Sequence, residues 1–214
     1  MNFWHFLIEN RQQALELTVE HITMAGVATL LAAVVGIPLG ILITRVRGLD
    51  KPVLGGANVI QTIPSLALFG FLLPAPWIGE RAGRLAILAL ALYALLPLIQ
   101  NTYAGIRSVD PAVIEAGRAM GLTDRQLLWQ VELPLASGVI VAGVRIAAVL
   151  TIALATIAAA IGAGGLGEFI FRGLAMVNDQ VILAGAVPAA ALALLVDFLL
   201  RIVERRLGTL RVKT

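Results

Sequence analysis

Cysteine is missing from the 214 residues of this chain, which excludes disulfides and thiolate metal sites, and its two histidines, His5 and His21, make no convincing metal site. Charge is scarce as well. Only 14% of residues are charged, against about 25% in a typical soluble domain, while 59% are hydrophobic and the mean hydropathy is +0.94. That balance argues against a soluble enzyme and implies an integral membrane protein. The net charge of +3 would suggest nucleic acid in a soluble protein; here it reads as cationic loops on one membrane face, with no nucleic-acid partner. No G-x-x-x-x-G-K-[ST] loop occurs, so the chain cannot be its own ATPase. Internal repeats and low-complexity tails are lacking, leaving one domain over 1–214. No His/Asp/Glu cluster or activated Ser lies in the apolar stretches, which weighs against a membrane enzyme.

Long apolar runs stand in place of charge. Five segments, roughly 22–44, 53–73, 84–106, 137–161 and 180–203, reach the ~20 residues that a helix needs to cross the hydrocarbon layer. Pro38, Pro64, Pro97 and Pro188 fall inside them, which membrane helices tolerate when neighbours satisfy the freed backbone groups. The fold class expected is an all-α membrane protein. The stretch before the first span has no signal-peptide pattern, and 1–20 reads either as an interfacial helix with Trp4 at headgroup level or as a plain lead-in.

An odd number of spans puts the termini on opposite sides. With the N-terminus outside, the inner loops hold Arg45, Arg47, Lys51, Arg107, Arg118, Arg125, Arg201, Arg205, Arg206, Arg211 and Lys213, and the outer ones only Arg11, Arg81, Arg84 and Arg172. That bias follows the positive-inside rule and makes the C-terminus and 107–136 cytoplasmic.

The segment 107–136 is polar and organised. Asp110 and Pro111 form a helix start, with a carboxylate to cap free amides and a proline at the first helical position. That helix is expected to run to Met120 and stop at Gly121, where a left-handed residue is cheapest. Thr123 with Gln126 has the pattern of a capping box for a second helix, which Leu133-Pro134 is expected to break. Such a knob either orients two spans or docks a cytoplasmic partner.

Glu115-Ala116-Gly117, then Gly121, then Leu133-Pro134 resembles the "EAA…G…LP" loop of binding-protein-dependent ABC importer permeases. Gly117 stands where the motif commonly has Ala, a small-for-small change. QTIPSLALFGFLLP (61–74), LYALLPLIQNTYAGIRSVDP (92–111) and AAIGAGGLGEFIFRGL (159–174) extend the resemblance, and look like the osmoprotectant branch for glycine betaine, choline and carnitine. Methionine-uptake permeases share the five-span plan and a similar GAGGLG segment, and are the alternative branch. The resemblance implies the type I ABC importer permease fold in the bacterial cytoplasmic (inner) membrane. Its implied partners are two ATPase subunits, a periplasmic or lipid-anchored substrate-binding protein and a second permease copy, identical or similar. ATP and Mg would belong to the ATPase, and this chain would bind no cofactor. Asp110, Pro111, Glu115, Ala116, Gly117, Met120, Gly121 and Leu122 would form the coupling surface.

Other residues carry weaker expectations. GAGGLG (162–167) satisfies the dinucleotide fingerprint G-x-G-x-x-G, yet follows an apolar helix rather than a strand. It is expected to turn the chain into a short helix over 166–176. Arg145 and Asp197 lie at similar depth, about 9–12 Å in from the cytoplasmic end at 1.5 Å per residue, and either pair with each other or leave Asp197 to Arg201. Gln61, Thr62, Pro64 and Ser65 make a kinked polar patch for a pathway. Phe69 and Tyr93 offer aromatic faces to a quaternary ammonium, which has no proton to donate. An ion-coupled secondary transporter is the alternative from another class; it would be expected to carry a midplane carboxylate and often repeated halves.

Overall fold

The computed structural model describes residues 3–74 and 82–208. Arg81, Arg211 and Lys213, used above to count charge by face, lie outside them. The chain is helical: α1 (Phe3–Glu9), α2 (Arg11–Arg45), α3 (Asp50–Thr62), α4 (Ser65–Leu72), α5 (Ala82–Arg107), α6 (Pro111–Ala119), α7 (Asp124–Leu127), α8 (Leu133–Ala158), α9 (Gly167–Met176) and α10 (Asp179–Gly208). Among the described residues four continuous helices are long and apolar enough to cross a membrane: α2, α5, α10, and the run Asp124–Ile161 that contains α7 and α8.

The first departure from expectation lies at the N-terminus. Helix α1 ends at Glu9, and residues 11–20, assigned above to an interfacial helix, belong to α2. The Asn10 side chain donates to the Phe6 carbonyl and closes α1, while Leu17 is buried with Phe169 and Val181. Tertiary packing thus extends the first long helix well beyond its apolar run.

The segment 53–73 is not one continuous helix. It is two helices, α3 and α4, bent by 97° at Ile63-Pro64. Proline cannot donate to the helix ladder, and it forces the preceding residue out of the helical region; Ile63 is extended at φ −67°, ψ 128°. The break is supported from inside. The Tyr93 hydroxyl donates to the Ile63 carbonyl, and Phe69 is fully buried beside it in the main core with Leu90 and Ala94. Both aromatics, expected as pathway candidates, are packed within the protomer, where they hold the broken helix pair.

Leu133-Pro134 does not break the second short helix either. A π-helical turn, Leu128–Glu132, joins α7 to α8 without interruption, with the Leu133 N–H donating to the Leu128 carbonyl five residues back, and this widened turn accommodates Pro134 directly after it.

Small residues let the long helices approach. A Cβ at Gly36 would stand 2.9 Å from Leu98 Cβ, at Gly40 2.6 Å from Thr102 Cβ, and at Gly143 2.7 Å from Asn101 Cβ. These contacts press α2 on α5 and α5 on α8, the close van der Waals packing that holds helices together where lipid removes the hydrophobic drive.

Candidate functional site

The knob between α5 and α8 is built as its sequence suggests. Asp110 accepts from the Ala112 N–H at 2.9 Å with Pro111 next to it, and α6 ends at Ala119 with Met120 as its cap. Gly121 follows at φ +85°, a conformation that any side chain would strain. Thr123 and Gln126 form the reciprocal capping box, with the Thr123 N–H donating to Gln126 Oε1 at 2.9 Å.

Gly117 has a stricter role than its small size suggested. It is buried, and a Cβ there would lie 2.6 Å from Leu127 Cδ2 and 3.4 Å from Leu122 Cδ1. An alanine therefore fits only if Leu127, itself buried, moves aside. Glycine brings α6 directly onto α7, and most of the rest of α6 is left open: Val113, Glu115 and Ala116 are exposed, and Met120 reaches 76% exposure.

Comparison with known proteins agrees with this geometry. Residues 36–209 match the family described as "Binding-protein-dependent transport system inner membrane component". The chain belongs to that family. It is 42% identical over 202 residues to the choline transport system permease protein OpuBB of Bacillus subtilis (strain 168), covering 94% of this chain and 92% of that one. The carnitine transport permease protein OpuCB of Listeria monocytogenes is 46% identical over 202 residues, covering 94% and 91%. The osmoprotectant import permease protein OsmW of Salmonella typhimurium (strain LT2) is 42% identical over 202 residues, covering 94% of each. Among solved structures, the inward-facing MetNI methionine ABC transporter superposes with a TM-score of 0.83 at 23% identity, covering 92% of this chain and 97% of that one. An amino acid ABC transporter solved with histidines gives a TM-score of 0.80 at 18% identity, covering 96% and 99%. The fold is that of ABC importer permeases, and the protein is an inner-membrane component of a transport system.

Around this permease knob the structure assembles groups that sequence reasoning had kept apart. Glu132, the last residue of the π turn, is only 3% exposed. Arg45, at the end of α2, reaches it with both terminal nitrogens: Nη1 donates to Oε1 at 3.3 Å and Nη2 to Oε2. Arg45 had been counted only as a loop cation. A buried carboxylate needs such a partner, but nothing in a π turn is visible as spacing, so the pair had no sequence signal.

Deeper in the bundle, Arg145 Nη1 donates to Asp197 Oδ1 at 2.7 Å, and Arg201 Nη2 donates to Asp197 Oδ2 at 2.9 Å. The two pairings held open above coexist. Arg145 Nε also donates to Glu204 Oε2 at 2.9 Å, a third partner that the reading missed. Residues 197, 201 and 204 fall at i, i+4 and i+7 on one face of α10, a signal that was present in the sequence.

On the far side of the bundle the glycine-rich turn leads into α9 at Gly167, close to the expected helix over 166–176. It wraps around α2: the Gly165 N–H, at φ +80°, donates to Glu20 Oε2 at 3.0 Å, and the fully buried His21 ring lies against Gly165. His21 Nε2 is 3.0 Å from the Ile152 carbonyl of α8. The glycines serve a reversal clamped by α2, not a phosphate loop. Of the polar patch beside Pro64, Thr62 is exposed with its hydroxyl donating to the Val59 carbonyl, and Gln61 and Ser65 are half-buried.

Proposed function

We propose that this permease carries a small quaternary amine of the glycine betaine, choline or carnitine type, delivered by a substrate-binding protein and driven by a separate ATPase. The observation that carries the reading is the α6 knob. Glu115, Ala116 and Met120 are exposed on it, while Gly117 seats it against Leu127 of α7, which runs on into α8. In this reading two ATPase subunits each seat one such helix, with ATP and Mg on the ATPase side. Two copies of the permease, or this chain with a similar one, line the pathway, with the N-terminus outside and the C-terminus in the cytoplasm. ATP binding closes the ATPase dimer and favours the outward-open state; hydrolysis returns the inward-open state. The knob shifts that equilibrium only if its contacts differ between the two states.

The amine class is favoured over methionine by sequence identity. The three relatives above, at 42–46%, are named for choline, carnitine and osmoprotectants, whereas the methionine transporter shares 23%. Recognition of the amine rests on the binding protein, and the permease needs only a permissive route. Gln61, Thr62, Pro64 and Ser65 at the break between α3 and α4 are its proposed lining, with Phe69 and Tyr93 as the frame behind them.

The test is reconstitution with the ATPase and binding protein, following labelled choline and glycine betaine with and without ATP. Uptake that needs both ATP and binding protein supports the proposal. ATP-coupled complexes that move neither amine redirect the substrate to methionine, and failure to associate with any ATPase sinks the reading.

A further inference from the structure

Among the described residues Glu132 is the only carboxylate buried inside the protein. Its partner Arg45 is 36% exposed, and replacing a buried ion pair by apolar side chains of similar size is often neutral or stabilising, so burial of the pair is not by itself a sign of a folding role. Its placement suggests another task. Leu127 and Glu132 both face inward, five residues apart: Leu127 under Gly117, Glu132 under Arg45. On a regular α-helix residues at i and i+5 diverge by about 140°, so one of them would face away. The π turn between them reduces that divergence. One continuous backbone therefore grips the knob with one residue and α2 with the other.

The space beside the pair matters equally. A cleft of about 310 Å³ separates α6 from the end of α2, walled by Thr44, Arg107, Ile114, Glu115 and Arg118, with Arg45 and Glu132 among its lining. Across that gap α6 does not press on the end of α2. The bidentate guanidinium–carboxylate contact spans what packing leaves open, and such a contact holds direction as well as distance.

We propose that Arg45 and Glu132 are positioning residues, a joint through which displacement of the α6–α7 knob reaches the first membrane helix. The inference rests on the reading of α6 as the ATPase-coupling helix. When the knob moves, the π turn carries Glu132 with it, and the ion pair pulls the end of α2 in the same direction. Without the pair less of the knob's motion reaches the end of α2, which then follows only through its packing on α5 and α8.

The experiment uses the full complex of permease, ATPase and binding protein in proteoliposomes, and measures labelled choline and glycine betaine taken up per ATP hydrolysed. The main variant is the double substitution Arg45→Met with Glu132→Leu, which leaves no buried charge. It is expected to assemble and melt like the parent and to hydrolyse ATP, with uptake per ATP lowered about tenfold. Glu132→Gln, which keeps shape and removes charge, is expected to lower the same ratio. A double variant with the parent's ratio overturns the proposal. So does a double variant that cannot assemble, because the pair would then belong to folding. A parent complex that assembles and hydrolyses ATP yet takes up neither amine nor methionine would instead remove the coupling reading on which the joint rests.

Discussion

Gly121 and Gly117 lie four residues apart and are required for different reasons, so their substitutions should fail differently. At Gly121 a Cβ would meet nothing within 4 Å, but the backbone sits at φ +85°. Valine there costs about 1–2 kcal/mol in local strain, and more for its β-branch. The expected result for Gly121→Val is an unchanged membrane fold, judged by melting, with ATP-driven uptake lost; normal uptake would count against the knob as a coupling element. At Gly117 the obstacle is Leu127 rather than the backbone, so a smaller residue at 127 should relieve an added methyl. Arg145 presents a third kind of residue-scale constraint. It holds Asp197 and Glu204 at once, and its side chain is 22% exposed. Arg145→Met leaves Glu204 without its cation and Asp197 with Arg201 alone, and should destabilise more than loss of Arg201 does. Arg201→Gln, at a side chain 51% exposed, should cost under about 1 kcal/mol. Thermal melts of the two variants in one detergent test that order.

At the scale of elements, the ends of helices carry the unusual chemistry. Helix α9 closes in a Schellman motif, with the Asn178 N–H donating to the Gly173 carbonyl at 2.9 Å and the Val177 N–H to the Leu174 carbonyl at 3.3 Å. The left-handed position, at φ +50°, is filled by Val177 although glycine is the usual occupant, and Val177 is 90% exposed. Val177→Gly should therefore raise stability by about 1 kcal/mol, since the strain relieved exceeds the extra freedom of the unfolded chain. Equilibrium unfolding of the two proteins decides it; a destabilised glycine variant would mean that the valine side chain has contacts worth more than its strain. The break at Pro64 and the π turn before Pro134 show the same proline chemistry resolved in opposite ways. Pro64 splits its segment, whereas the helix runs on through Pro134 because a π turn stands directly before it.

For the whole molecule, the proposed topology is open to direct measurement because the native chain has no cysteine. Single cysteines at Met120 and Val177, both well exposed, should react with a membrane-impermeant maleimide from opposite sides: Met120→Cys only from the cytoplasm, Val177→Cys only from outside. Labelling of both from one side would overturn the orientation. The layout makes the importer reading coherent across the bundle. The α6 knob occupies one end, the clasp of Glu20 and His21 on the glycine-rich turn the other, and α2 runs past both.

Composition, periodicity and local chemistry determined much of this protein. The scarcity of charge specifies a membrane chain, and apolar runs locate the long helices, because lipid demands that each segment satisfy its own backbone. The capped knob from Asp110 to Gln126 was legible residue by residue, since caps and left-handed glycines act over three or four positions. The tertiary structure alone decided the rest. Whether Pro64 kinks or splits a segment depended on Tyr93, about thirty positions away, reaching the freed Ile63 carbonyl. Whether Leu133-Pro134 ends a helix depended on a π turn that no periodicity announces. The Arg45–Glu132 contact joins residues 87 positions apart. Pairings of that kind are set by how helices cross, and a linear pattern holds no record of them.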